Sequence, residues 1–186
     1  MYDARMSVYR IPIQRADGSD TTLADYRGKV LLVVNVASAC GLTPQYAGLE
    51  AVFEMYRERG LVVVAFPCND FEGQEPGTAA EIAEFCSTKY NVQFPVLAKI
   101  SVAPESRHPL YRELIAAQPA ARFKLGSDFR EKMAGYGLTP AHPSDIAWNF
   151  EKFLVSRTGD VVARFAPDTE PTDPMLTAAI EAQLAT

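Results

Sequence analysis

Two short, uninterrupted apolar runs organise the chain: VLLVVNV at 30–36 and LVVVAF at 61–66. Both are too short for a typical helix and rich in β-branched residues. The first is bounded by Gly28 before it and Ala-Ser-Ala-Cys-Gly after it. This pattern predicts strands buried on both faces, as in a parallel sheet. Between them Tyr46, Leu49, Val52, Phe53 and Tyr56 recur at helical spacing, and Gly60 supplies a stop. Residues 30–66 therefore read as one βαβ unit, with a right-handed crossover. Upstream, 8–23 reads as a small hairpin turning at Asp17-Gly18. Downstream, 67–77 is a loop dense in turn formers, and Thr78 and Glu81 form a capping box that opens a helix. Ile82, Phe85, Cys86 and Tyr90 mark that helix's inner face. Residues 91–97 suggest a short strand containing Pro95, and His108-Pro109 opens a helix whose Leu110, Tyr111, Leu114 and Ile115 face inward. The 117–145 stretch is irregular and rich in Pro, Gly and Ala, as interfaces and lids often are. Residues 148–165 read as a hairpin closing at Thr158-Gly159-Asp160, and Asp173 with Pro174 starts a last helix through Leu184. The predicted class is α/β, with a central mixed β-sheet flanked by helices on both faces.

Composition narrows the function. The chain has 186 residues, which suits a single domain spanning 1–186. A net charge of −5 argues against a nucleic-acid binder, which needs a basic field to displace counterions. No apolar run approaches the ~20 residues of a membrane span, and MYDARMSVYR lacks the apolar core of a signal peptide. The expectation is a cytoplasmic protein without integral membrane association, a monomer or small homo-oligomer, with Met6 an alternative start to Met1. Cys40, Cys68 and Cys86 are odd in number and contain no C-x-x-C pair; His108 and His142 are isolated. Neither a disulfide framework nor a zinc site is expected. In a reducing compartment such cysteines are mostly inert core residues, so a reactive one must be identified by its neighbours.

Cys40 has such neighbours. It follows a buried strand and precedes a helix, at the carboxyl end of the sheet where α/β proteins bind ligands. The free N–H groups and positive end of a helix favour the thiolate, the nucleophilic form of sulfur. Gln74, in the loop after the second strand, and Trp148 and Asn149, at the start of the terminal hairpin, offer neutral hydrogen-bond donors that stabilise an anion without a titrating base. Spacing alone does not bring these three to Cys40. Core packing for Trp148 and turn chemistry for Gln74 and Asn149 are the competing readings.

Five blocks identify a relationship: NVASACGLT (35–43), FPCNDFEGQEPG (66–77), FCSTKYNVQFPV (85–96), RHPLY (107–111) and WNFEKFLV (148–155). In this order the chain resembles the glutathione peroxidase family, in its cysteine-dependent, non-selenium branch. The resemblance implies a thioredoxin-like fold, a peroxidatic Cys40, and a tetrad completed by Gln74, Trp148 and Asn149. Asp70 stands where the family usually has Gln; it is not a tetrad position. Cys86, 46 residues after Cys40, matches members that resolve the oxidised cysteine through an internal disulfide reduced by thioredoxin; burial in the core is its alternative. Cys68 resembles a family cysteine with no required redox role. The implied substrates are hydrogen peroxide and organic hydroperoxides, with no metal, flavin or haem cofactor. Two rivals stand beside this. One is a glutathione-dependent peroxidase with Cys86 structural. The other is a redox sensor that passes Cys40 oxidation to a partner.

Overall fold

The structure, a computed structural model, describes residues 7–186; the alternative start at Met6 lies outside them. The chain enters through a 3₁₀ turn at Val8–Arg10 and a minimal antiparallel ladder, β1 (Ile13–Gln14) with β2 (Asp20–Thr21). The hairpin expected over 8–23 is thus confined to its tip. Pro12 has no N–H to donate and interrupts any longer ladder.

Both apolar runs are strands. β3 (Val30–Val36) pairs in parallel with β4 (Leu61–Pro67), in register from Val30 with Leu61 to Val36 with Pro67. The predicted helix between them is α1 (Gln45–Tyr56); a 3₁₀ turn extends it to Gly60, whose positive φ of 105° suits glycine. On the other edge of β3 lies β5 (Lys152–Val155), antiparallel, followed by antiparallel β6 (Val161–Phe165). The sheet order is β4-β3-β5-β6.

All seven residues of β3 are buried, and alternation assigns them to two cores. Val30, Leu32, Val34 and Val36 pack on one face with α1, α2 (Ala79–Tyr90) and α5 (Pro174–Leu184). Leu31 and Val33 pack on the other with α3 (Pro109–Ala117) and the chain start around Ile11 and Leu23. Helices on both faces explain why the strands read as continuous apolar runs. Among the described residues no helix is long and apolar enough to cross a membrane.

The capping box at Thr78 is complete: the Thr78 N–H donates to Glu81 Oε2 at 2.7 Å, and the Glu81 N–H donates to Thr78 Oγ1 at 3.2 Å. Thr78→Ala should therefore lower unfolding free energy by about 1 kcal/mol, shifting Tm down by roughly 2–4 °C. An unchanged Tm would mean that the cap is redundant.

Three expectations need correction. Residues 91–97 do not form a strand. Asn91 is the left-handed cap of α2, and the stretch touches β4 only by an isolated bridge between Ala65 and Val96. Pro95 lacks the N–H that a ladder needs. The 117–145 segment is not wholly irregular, because Phe129–Gly135 forms α4, with Phe129 and Met133 buried one turn apart. Two apolar positions in seven residues are too few for periodicity to stand out. Third, the terminal hairpin begins its ladder at Lys152, leaving 148–151 as a turn. The 117–145 segment is tied to the sheet by Arg164, which is buried against Glu151 and donates to the carbonyls of Gln118, Pro119, Ser144 and Asp145.

Candidate active site

The turn that follows β3 carries Cys40. Its own hydrogen bonds set its orientation. The Cys40 N–H donates to Thr43 Oγ1 at 3.0 Å, and that hydroxyl donates to the Ala37 carbonyl at 2.8 Å. The Leu42 N–H donates to Cys40 Sγ at 3.3 Å, the only hydrogen bond to this sulfur among the described residues. The helix start expected directly after Cys40 lies further on, at Gln45; the N–H that reaches the sulfur belongs to the intervening turn. Thr43 went unnoticed in the sequence. A hydroxyl three residues after a candidate thiol is the signal that finds it.

Gln74 and Asn149 meet. Asn149 Nδ2 donates to Gln74 Oε1 at 3.2 Å across 75 residues of sequence. Backbone joins the same loops to the Cys40 turn: the Ala39 N–H donates to the Gln74 carbonyl at 3.0 Å, and the Cys68 N–H donates to the Val36 carbonyl at 2.9 Å. Asn35, the one polar residue of β3, is buried and holds the far side. Its Nδ2 donates to the Trp148 carbonyl at 3.1 Å, and its carbonyl accepts from the Phe150 N–H. The half-buried Trp148 ring packs 5.2 Å from Phe71. Cys40, Gln74, Trp148 and Asn149 therefore come from three segments stitched together at the carboxyl ends of β3 and β4.

Backbone strain marks the same place. Phe150 (φ 68°) and Glu72 (φ 55°) occupy the left-handed region without being glycine, each within two residues of a candidate donor. Such conformations cost about 1–3 kcal/mol and cluster at functional sites. Asn149 Oδ1 is buried without a hydrogen-bond partner among the described residues.

The three thiols are free and differ in environment. Cys68 is fully buried, and burial pushes its thiol up to about 12, as an inert role requires. Cys40 is buried too, but keeps 8% exposure. Cys86 is 3% exposed on the inner face of α2, and burial raises its thiol above the ordinary value. The Tyr46 hydroxyl acts in the opposite sense and lowers it. The Glu75 carboxyl raises it further. Asp70 clamps the loop after β4, accepting from Ser101 Oγ and from the Val102 and Ala103 N–H groups at 3.0, 2.6 and 2.9 Å. Next to Trp148 and Phe71 opens a cavity of about 320 Å³; a larger apolar one of about 510 Å³ is walled by the 117–145 segment, including Phe123, Phe129 and Met133.

A sequence model described as "Glutathione peroxidase" matches residues 8–115. The chain is 49% identical to the thioredoxin/glutathione peroxidase BtuE of Escherichia coli K12 over 179 residues, covering 96% of this chain and 98% of that one. It is 43% identical to the hydroperoxy fatty acid reductase gpx1 of a Synechocystis species over 170 residues, covering 90% and 91%. Among solved structures, the apo form of Trgpx superposes with a TM-score of 0.71 at 31% identity, covering 98% of each chain. A thioredoxin family protein of Chlorobium tepidum, 16% identical, superposes with a TM-score of 0.61 over 98% of this chain and 99% of that one. The fold is therefore thioredoxin-like.

Proposed function

This chain belongs to the glutathione peroxidase family, and we propose that it is a thiol peroxidase in which Cys40 attacks the peroxide and Cys86 resolves the product. That it is a peroxidase follows from the family; the finer assignment rests on the site. The observation that carries it is the Asn149–Gln74 bond of 3.2 Å beside the Ala39–Gln74 backbone bond. Together they support the reading by tying the loops that carry Gln74 and Asn149 to the turn of Cys40, the least buried of the three cysteines.

The steps run as follows. Cys40, as thiolate, attacks one oxygen of ROOH; the O–O bond breaks, and RO⁻ leaves and takes a proton as water or alcohol. Cys40 becomes a sulfenic acid. Gln74, Trp148 and Asn149 provide N–H groups to the sulfur anion and to the departing oxygen. Cys86 then attacks the oxidised sulfur, water leaves, and a Cys40–Cys86 disulfide forms. Reduced thioredoxin opens that disulfide by thiol–disulfide exchange. The substrates are hydrogen peroxide and organic hydroperoxides, and the setting is the cytoplasm. The relatives named for thioredoxin and for hydroperoxy fatty acids support the reductant and the substrate class.

The deciding experiment couples the protein to thioredoxin, thioredoxin reductase and NADPH, in parallel with glutathione and its reductase. Sustained peroxide-dependent NADPH oxidation is expected with thioredoxin. A single stoichiometric oxidation that stalls with both reductants would replace the peroxidase by a sensor. Gln74→Ala, Trp148→Phe and Asn149→Ala should each slow Cys40 oxidation, by roughly 10²-fold where the donor faces the developing charge. Their combination should cost far less than the product of the single effects, since they serve one charge. Wild-type oxidation rates in all three would discard the tetrad.

A further inference from the structure

Two buried polar side chains that the tetrad does not use meet at one carbonyl. Gln45, the first residue of α1, is buried; its Nε2 donates to the Pro167 carbonyl at 2.8 Å, and its Oε1 has no partner among the described residues. Lys152, the first residue of β5, is fully buried; its Nζ donates to the same Pro167 carbonyl at 3.1 Å and to the Thr169 carbonyl at 2.6 Å. A buried ammonium usually pairs with a carboxylate, and a buried amide usually satisfies its oxygen as well. Neither does so here. Both instead grip the segment that follows β6.

The start of α1 lacks the usual means of fixing a helix end. Its N-cap is Pro44, which makes no side-chain cap, and the Thr43 hydroxyl is occupied by the Cys40 N–H and the Ala37 carbonyl. One turn further on, Gly48 lets the helix approach Pro171 so closely that a Cβ there would lie 3.1 Å from its ring. The first turn of α1 is therefore seated on residues 167–171. From that seat a short chain of bonds runs back to the thiol. The Gln45 N–H donates to the Leu42 carbonyl at 2.9 Å, and the Leu42 N–H donates to Cys40 Sγ at 3.3 Å.

We propose that Gln45 and Lys152 are positioning residues for the peroxide step: through the Pro167 carbonyl they hold the Leu42 N–H on the Cys40 sulfur. The inference rests on Cys40 being the reacting thiol. An N–H aimed at sulfur favours the thiolate, and its strength depends on where that peptide is held. Between Pro167 and the sulfur only an amide and main chain take part, so no group on the route titrates. At the far end burial pulls Lys152 down to about 7; Glu170, Glu151 and Asp168 act against this, and Lys124 acts with it. The neutral amine still has two N–H groups for its two carbonyls, so the anchor outlasts the charge.

The test measures Cys40 oxidation by hydrogen peroxide at acid and alkaline pH, using rapid mixing, thiol blocking at timed intervals and mass spectrometry of the Cys40 peptide. Gln45→Met keeps the bulk and removes the donor. It should slow oxidation about tenfold near pH 6, as loss of one hydrogen bond to a charged group does. Near pH 9, where an ordinary thiol is ionised anyway, it should come within about twofold of wild type. A loosened fold alone would slow both alike. Lys152→Met should show the same pH-dependent defect. The double variant should be no more than about twofold slower than the worse single variant, because both side chains act through one carbonyl. Wild-type rates for Gln45→Met at acid pH, equal slowing at both pH values, or effects that multiply in the double variant would overturn the proposal while leaving Cys40 as the reacting thiol. If peroxide does not oxidise Cys40 in the wild type, both readings fall together.

Discussion

Cys40→Ser is expected to abolish peroxide consumption, lowering its rate by about 10³-fold or more, as loss of a nucleophile does elsewhere. The substitution is a fair probe because little else depends on the sulfur. The bonds that shape the turn, from the Cys40 N–H to Thr43 Oγ1 and from the Thr43 N–H to the Cys40 carbonyl, use the main chain of Cys40 and not its sulfur. A serine oxygen can also accept the Leu42 N–H. Urea unfolding should therefore show a stable fold while stopped-flow peroxide consumption disappears. Near-wild-type turnover would remove the whole mechanism. Cys68→Ser is the control: its thiol is fully buried, so the folded variant should keep most activity. A loss matching that of Cys40→Ser would assign Cys68 a chemical role.

The second large effect belongs to Cys86. Cys86→Ser should still reduce one equivalent of peroxide and then stop, with thioredoxin-supported turnover lost. The reason is geometric. A disulfide needs Cα atoms roughly 4.4–6.8 Å apart, and Cys86 sits inside a helix fastened at both ends, by the Thr78–Glu81 box and by left-handed Asn91. Bond formation should unwind the 78–91 region. α2 is suited to this, because its twelve residues bury only Ile82 and Cys86 fully. With only two side chains fully buried, its opening should cost less than global unfolding. Amide exchange in 78–91 should accelerate on oxidation, and peptide mapping without reductant should recover a Cys40–Cys86 linkage. If Cys86→Ser cycles normally with thioredoxin, Cys86 is a packing residue and the glutathione-dependent reading takes its place.

What the sequence made legible follows from which interactions are local. β3, β4, α1 and the capped start of α2 were readable because apolar runs, helical spacing and a capping box are written within a few residues. α4 and the failed strand at 91–97 were not, because their fate depends on Pro95 and on distant partners. The site divides in the same way. Cys40 is marked by its place after a buried strand, whereas only family resemblance ties Gln74, Trp148 and Asn149 to it. The bond between Gln74 and Asn149 spans 75 residues and lies beside two left-handed backbones, at Glu72 and Phe150, which single-sequence spacing does not encode. Asn35 and Glu75 left fainter signs, a lone amide in an apolar strand and an acid that folding buries.

The joint between the Cys40 turn and the Gln74 loop is main chain to main chain, from the Ala39 N–H to the Gln74 carbonyl. Side-chain identity at either end is irrelevant to it. Position 39 is exposed, so any residue there except proline, which alone would delete the donor, keeps the bond. Replacing the amide at 74 likewise keeps this anchor. Substitution at 39 or 74 therefore leaves this main-chain joint in place, and at 74 it removes only the side-chain bond to Asn149.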